Sequence, residues 1–206
     1  MSKLTRDGLR AALAEIAKRD ADMARAHAEV GLPSLRRRKP GFETLLRAIV
    51  AQQVSVAAAA SIWSRVTATV QPFEPAAFLD ASDAALRAAG LSRQKIAYGR
   101  GLASDIVTGR VRLDRLGRMS DEDAIAELIK IKGIGRWSAE VYLLFAHGRP
   151  DMWPIDDVGL MAGMQRVKRL EVRPGRTEML ELGEAWRPWR GAGALLLWHY
   201  LHNAAM

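Results

Sequence analysis

Along most of the 206 residues, apolar side chains recur at intervals of three and four, and alternating β-branched runs are nearly absent. That spacing returns apolar groups to one face of a helix with 3.6 residues per turn, whereas a strand would need them at every second position. The chain is therefore expected to be all-α. Leu4–Ile16 and Ala21–Val30 read as two short helices, followed by the Pro-bounded basic connector GLPSLRRRKPGF. Phe42 to about Val70 reads as one long helical stretch. Its run AIVAQQVSVAAAASIWSRV is rich in small residues that let another helix approach closely, and Pro72 and Pro75 end it. Ser82 is expected to cap a short helix ending at Gly90, and Ser92 to cap the helix through LSRQKIAYGRGLASDIVTG. Ser120 followed by Asp123 resembles a capping box opening DEDAIAELIKI, with acidic residues where the helix dipole favours them. The last third holds helices over Arg136–Ala146, Asp157–Leu170 and Thr177 to about His202, with Pro188 as a potential break in the last. With no internal repeat, low-complexity tract or obvious linker, residues 1–206 are expected to form a single domain.

Composition narrows the function. Hydrophobic residues make up 49% of the chain, enough to bury a sizeable core. Cysteine is absent, which excludes disulfides, a thiol nucleophile, cysteine-ligated zinc and a thiolate-held iron–sulfur cluster. That composition suits a reducing, cytoplasmic setting. No signal-peptide h-region opens the sequence, and no segment approaches the ~18 uninterrupted apolar residues of a membrane span, so a soluble intracellular protein is expected. The formal net charge is +8, with a sequence pI near 10.3, and 24 of the 31 basic residues are Arg. Such a chain favours polyanionic partners, nucleic acid ahead of anionic lipid, because the planar guanidinium can bond two phosphate oxygens at once. The alternative is an Arg-rich chain whose charges are merely solvated. The same two readings, phosphate contact or solvation, apply to the densest basic run, Arg36, Arg37, Arg38 and Lys39. The one close histidine pair, His199 and His202, fits packing or solvent exposure better than metal binding.

The most informative segment is 128–139, LIKIKGIGRWSA. A helix ends, Gly133 and Gly135 flank the apolar Ile134, and a new helix begins at once. Glycines let the backbone turn without a Cβ in the way, so amide N–H groups before the second helix can face a phosphate, while Ile134 plugs the hairpin's small core. A plain helix–helix turn is the competing reading of G-x-G alone. Downstream, DMWPIDDVGLMAGMQRV places Asp156 and Asp157 at a helix start behind Pro154. One helix needs one N-cap, which leaves a second carboxylate in a basic, phosphate-seeking protein.

These segments together resemble the helix–hairpin–helix DNA glycosylases, in particular the DNA-3-methyladenine glycosylase II branch of alkylation repair. LIKIKGIGRWSA resembles that branch's L-x-x-h-x-G-h-G-x-W-[ST]-A hairpin, and IDDVGLM its aspartate-bearing loop, with Asp157 twenty positions after Trp137. AIVAQQVSVAAAA resembles an early helix and WRPWRGAGALLLW a C-terminal W-x-P-W-R segment, so four motifs spread over roughly residues 40–200 carry the likeness. The resemblance implies a glycosylase domain of two helical lobes with the active-site cleft between them. The helix–hairpin–helix would occupy about 120–147 and the catalytic-Asp loop and helix about 150–170, with the N- and C-terminal helices completing the other lobe. The form would be compact, lacking a β-rich lobe found in some relatives.

The same resemblance assigns roles residue by residue. Asp157 would stabilise the oxocarbenium-like sugar as the C1′–N bond breaks, leaving Asp156 to cap or position the loop. The base must first be flipped out of the duplex. Gln53 falls at the wedge position that fills the resulting gap, or is simply an exposed helix residue. Gly133, Ile134, Gly135 and Arg136 would contact DNA. Trp137 stands where bifunctional relatives carry an attacking Lys, so no Schiff base and no lyase step are implied. Its indole would attract N-alkylated purines, which are cationic, through its π face. Trp189 is the second expected pocket wall and Gln52 the pocket floor, whereas Trp63 and Trp198 read as core. Relatives often carry an aromatic at the position of Val141; here Tyr142 follows instead, as core or as pocket. No cofactor is required and no iron–sulfur cluster is expected. A structural monovalent cation on the carbonyls of Ile129, Ile131 and Ile134 would bridge to phosphate. The implied activity is monofunctional excision of alkylated purines such as N3-methyladenine from double-stranded DNA, leaving an abasic site, by a monomer with no membrane partner. The competing readings are the same fold acting on uracil, oxidised guanine or mismatched adenine, and a non-catalytic helix–hairpin–helix DNA-binding module.

Overall fold

The computed structural model describes residues 3–204, and among them every regular element is a helix. The chain contacts divide it into two compact units, one built from residues 1–37 and 140–206 and the other from residues 38–139. No helix among the described residues is long and apolar enough to cross a membrane.

The first unit contains α1 (Arg6–Arg19), α2 (Ala21–Val30), α10 (Val158–Lys168), α11 (Arg176–Glu184) and α12 (Arg190–Asn203). Helix α12 is buried over most of its circumference, as Gly191 to Leu197 and Tyr200 show, so it is the central post of this unit. Helices α2 and α10 pack on it. A Cβ at Gly163 of α10 would stand 2.7 Å from the Leu197 carbonyl oxygen, so glycine is what lets α10 approach α12 this closely. A buried polar knot ties the unit together. The Asp20 carboxylate, 8% exposed, caps α2 by accepting from the N–H groups of Asp22 and Met23. It also takes Lys168 Nζ on both oxygens at 2.7 Å and the Trp186 indole N–H at 2.8 Å.

The second unit packs α3 (Phe42–Ala51) and α5 (Pro75–Asp80) against α7 (Arg93–Val107), with α4 (Val56–Thr69) and α6 (Asp83–Ala88) alongside. A 3₁₀ turn over Leu113–Arg118 leads to α8 (Asp121–Ile129), the hairpin, and α9 (Arg136–Tyr142). The division between the units falls within α9, which continues as a π-helical turn over Leu143–His147. Trp63 is buried against Phe73, and Phe42 packs on Phe73 and Phe78.

Local capping signals are realised as read. Ser82, Ser92 and Ser120 each accept the backbone N–H three residues on. The expected single helix from Phe42 to Val70 is instead two. Helix α3 stops at Ala51, Gln53 takes a left-handed φ of 55°, and Ser55 starts α4 by accepting the N–H of Ala58. Similarly, Arg176–Glu184 and Arg190–Asn203 are separate helices around Pro188, and Pro75 opens a short helix α5 that the sequence did not suggest.

His147 closes the π turn, buried against the Tyr142 ring at 5.5 Å between centroids, and its Nε2 has no hydrogen-bond partner. Burial, with Arg149 and Lys3 nearby, pushes its pKa down to about 4. An unfolded histidine titrates near 6.5, so between those values the unfolded chain binds more protons than the folded one. The stability tied to neutral His147 is thus complete above pH 6.5 and lost as pH falls towards 4, by up to about 3 kcal/mol at roughly 1.4 kcal/mol per pH unit. His147→Phe is expected to flatten this acid limb, measured as urea unfolding free energies of variant and wild type from pH 7 to pH 4; parallel curves would reject the assignment.

Candidate active site

The hairpin between α8 and α9 is built by its glycines and one apolar plug. Gly133 has φ 92°, and a Cβ there would collide with the Tyr98 ring, so both conformation and space demand glycine. Ile131 and Ile134 are buried beneath the turn, and the N–H of Ile134 bonds the carbonyl of Ile131 at 3.0 Å. At Gly135 a Cβ would meet nothing within 4 Å, so the protein itself does not require glycine at that position. Among the described residues, the N–H groups of Gly133 and Gly135 have no protein acceptor. The turn therefore offers open backbone donors beside a site with no side chain to obstruct an approaching anion.

Arg136, at the start of α9, is held by Glu122 through two bonds of 3.0 and 2.6 Å, both partners exposed. Trp137 follows with its indole 40% exposed, unusual for so large an apolar side chain. Gln52 donates its amide to the Gly133 carbonyl at 2.9 Å, and Gln53 is exposed on the α3–α4 turn. Ile129, at the end of α8, is half exposed. Of the three carbonyls named for a monovalent ion, that of Ile131 accepts the Ile134 N–H within the turn.

In the other unit the two aspartates divide their work. Asp157, not Asp156, is the N-cap of α10: its Oδ1 accepts the Leu160 N–H at 2.7 Å. Asp156 pairs with the Arg176 guanidinium at the start of α11, which ties down the loop. The same Oδ1 of Asp157 accepts the indole N–H of Trp198 at 2.9 Å, and Trp198 in turn stacks on Phe145, 5.9 Å between centroids. The carboxylate is thus clamped from two directions at the positive end of a helix dipole. Gly159 borders this clamp: a Cβ there would lie 3.2 Å from Asp157 Oδ1 and 3.7 Å from the Trp198 ring. Gly159→Ala is expected to press the carboxylate out of place and slow catalysis about tenfold, given that a ~1 Å error can cost about a hundredfold. Its folding stability should hold or rise by about 0.5 kcal/mol, because alanine is the better helix residue. Single-turnover rates paired with thermal melts on this variant check both halves.

Trp198, read from sequence as core, is therefore the aromatic that contacts the candidate carboxylate. Trp189 does not: it caps α12 nine residues earlier, about 13.5 Å along the axis at 1.5 Å per residue, with the Arg19 guanidinium 5.1 Å over its ring. Arg19 also donates to the carbonyl of Arg187, so Trp189 serves a structural corner. Tyr142 is 3% exposed and packs on His147, which resolves its two readings in favour of core. Arg37 donates to the Leu4 carbonyl at 2.7 Å, so this member of the basic run holds the fold. His199 and His202 bond the carbonyls of Val30 and Trp198, and no cluster of three metal-ligating side chains occurs among the described residues.

Comparison with known proteins agrees with this geometry. The family described as HhH-GPD superfamily base excision DNA repair protein matches residues 46–188. DNA-3-methyladenine glycosylase 1 of Schizosaccharomyces pombe is 32% identical over 169 residues, 80% of this chain and 74% of that protein. A DNA-3-methyladenine glycosylase of Bacillus subtilis is 29% identical over 187 residues, which cover 84% of this chain and 59% of that protein. Among solved structures, the S. pombe 3-methyladenine DNA glycosylase in complex with abasic DNA superposes with a TM-score of 0.83 at 30% identity, covering 91% of this chain and 95% of that one. A family match over residues 46–188, more than half of the chain, establishes that the chain belongs to the HhH-GPD superfamily of base excision DNA repair proteins.

Proposed function

We propose that this protein is a monofunctional DNA glycosylase that hydrolytically releases alkylated purines such as N3-methyladenine from duplex DNA and leaves an abasic site. The observation that carries the reading is the Asp157 carboxylate held by Leu160 N–H and Trp198 Nε1. A carboxylate fixed in this way needs no reorganisation when positive charge develops on the sugar, and it can orient the attacking water. Loss of the base is already favoured when alkylation has made the purine cationic, so little leaving-group assistance is demanded of the protein. The relatives named above as 3-methyladenine glycosylases support that substrate class.

The remaining roles follow from residue chemistry. Open N–H groups at Gly133 and Gly135 suit a backbone phosphate, and Arg136 adds charge once DNA competes with Glu122. A monovalent ion on the carbonyls of Ile129, Ile131 and Ile134 would supply a bridge to that phosphate. Exposed Gln53 suits the wedge, and the exposed Trp137 indole offers a π face to a cationic base. With Trp137 at the position where bifunctional relatives carry Lys, that position supplies no amine to attack C1′, and the reaction ends at hydrolysis.

The test is single-turnover incubation with duplexes carrying one alkylated purine, one uracil or one oxidised guanine, each analysed with and without alkali. Free alkylated base with strand breaks only after alkali is the expected result. Breaks without alkali would overturn the monofunctional assignment, release of uracil or oxidised guanine alone would move the substrate class, and salt-sensitive binding with no free base would leave a DNA-binding module.

A further inference from the structure

The α3–α4 turn and the hairpin lie far apart in sequence, yet one side chain joins them. Gln52 Nε2 donates to the Gly133 carbonyl at 2.9 Å across 81 residues. The next residue, Gln53, stands at φ 55°, a conformation that side chains other than glycine adopt at a cost and keep only where the surroundings over-determine it. The surroundings here are specific. Before Gln53, the Gln52 side chain is anchored on the hairpin; after it, Ser55 is committed to capping α4. The hairpin anchor and the end of α3 are themselves braced by α7. Lys95 Nζ bonds the Val50 carbonyl at the end of α3 at 2.7 Å, and the Tyr98 ring, whose hydroxyl accepts from Gln94, lies against Gly133 where any Cβ would collide.

We propose that Gln52 is a positioning residue that registers Gln53 to the phosphate-gripping hairpin, so that opening of the duplex is driven against a fixed backbone contact. This rests on the reading of Gln53 as the wedge. A side chain pushed into a base stack meets resistance, and it advances only if the element carrying it cannot recoil. The 2.9 Å bond transmits that resistance to the hairpin, where phosphates are held, rather than to a free turn. Without it, Gln53 is free to relax to negative φ and the wedge loses its direction. The amide is therefore assigned to preorganisation and not to the floor of a base pocket.

Gln52→Met keeps the length of the side chain and removes the donor, and Gln52→Glu replaces the donor with an oxygen that repels the carbonyl. The experiment measures base unstacking with 2-aminopurine beside an alkylated purine, single-turnover excision, and the salt dependence of binding to the same duplex. In both variants the expected result is a loss of about five- to tenfold in unstacking amplitude and excision rate, the scale of one neutral hydrogen bond. The slope of log K against log salt should stay at the wild-type value, because the phosphates gripped are unchanged. A double-mutant cycle with Gln53→Ala separates positioning from a general structural role: Gln52→Met should cost nothing further once Gln53 is gone. Additive losses, or excision by Gln52→Met at the wild-type rate, would overturn the assignment to Gln52 alone. A wild-type protein that neither unstacks nor releases the base would overturn the glycosylase reading beneath it.

Discussion

Asp157→Asn is expected to abolish excision of alkylated purine while leaving the fold intact. Asparagine is as good an N-cap as aspartate, and its side-chain oxygen can accept the same two bonds, from Leu160 N–H at 2.7 Å and from Trp198 Nε1 at 2.9 Å. What disappears is the negative charge. The single-turnover rate should therefore fall by about 10² to 10⁴, the range over which a positioned acid–base or electrostatic group acts, with the melting temperature within a degree or two of wild type. A rate within threefold of wild type would show that Asp157 is only a cap. Trp198→Phe makes the complementary test, because it keeps a ring against Phe145 and removes the N–H that fixes Oδ1. Its expected loss is smaller, about ten- to fiftyfold, since the carboxylate remains but must be oriented at the moment of reaction. The two losses should not add in the double variant, as the indole acts through a charge that Asp157→Asn has already removed.

The contrast between Asp157 and Trp198 shows where sequence reasoning reaches. Signals that act within a few residues were legible: Ser82, Ser92 and Ser120 as caps, Pro188 as a break, and α2 over Ala21–Val30. The glycine hairpin and the aspartate loop were legible for the same reason, since each is a local pattern with its own chemistry. The break after α3 was not, because QQVS contains neither Gly nor Pro, and the left-handed Gln53 follows a residue whose side chain bonds Gly133 across 81 residues. The indole on Asp157 was equally hidden. Trp198 lies 41 residues away on a helix whose apolar content reads as core, and no periodicity distinguishes a tryptophan that packs from one that also donates to a carboxylate. Trp189 attracted the pocket assignment because it sits in the recognisable RPWRG segment, but its ring lies under Arg19. The choice between Asp156 and Asp157 as cap likewise depended on Arg176, which occupies Asp156 from the start of another helix.

Asp20→Ala is expected to give the largest loss of stability in the unit that carries Asp157. Asp20 is buried at the N-terminus of α2, and its carboxylate gathers Lys168 from the end of α10, the indole N–H of Trp186, and the first amides of α2. Removing it strands Lys168, which is only 16% exposed, and leaves the Trp186 N–H unpaired in a fully buried site. Asp22, 3.4 Å from Lys168, recovers part of the Coulomb attraction but reaches neither the indole nor the cap. Breaking a buried ion pair costs about 3–5 kcal/mol, and the lost cap and orphaned donor belong to that range. For a chain of this size the melting temperature should fall by roughly 8–15 °C, and the urea midpoint should drop with little change in m. Asp20→Asn has a single side-chain oxygen, which keeps the cap made by Oδ1 but sets an NH2 against the Trp186 N–H that Oδ2 accepts, so it should recover only the cap, about 1 kcal/mol of that loss. At about 15 °C, near the usual temperature of maximum stability, both variants should remain folded. Excision by Asp20→Asn should then match wild type, because α10 presents Asp157 from its other end, fixed there by Leu160 and Trp198. Equal melting temperatures for Asp20→Ala and wild type would mean that water replaces the carboxylate at this knot, and that the packing of α12 alone holds α2 and α10 in place.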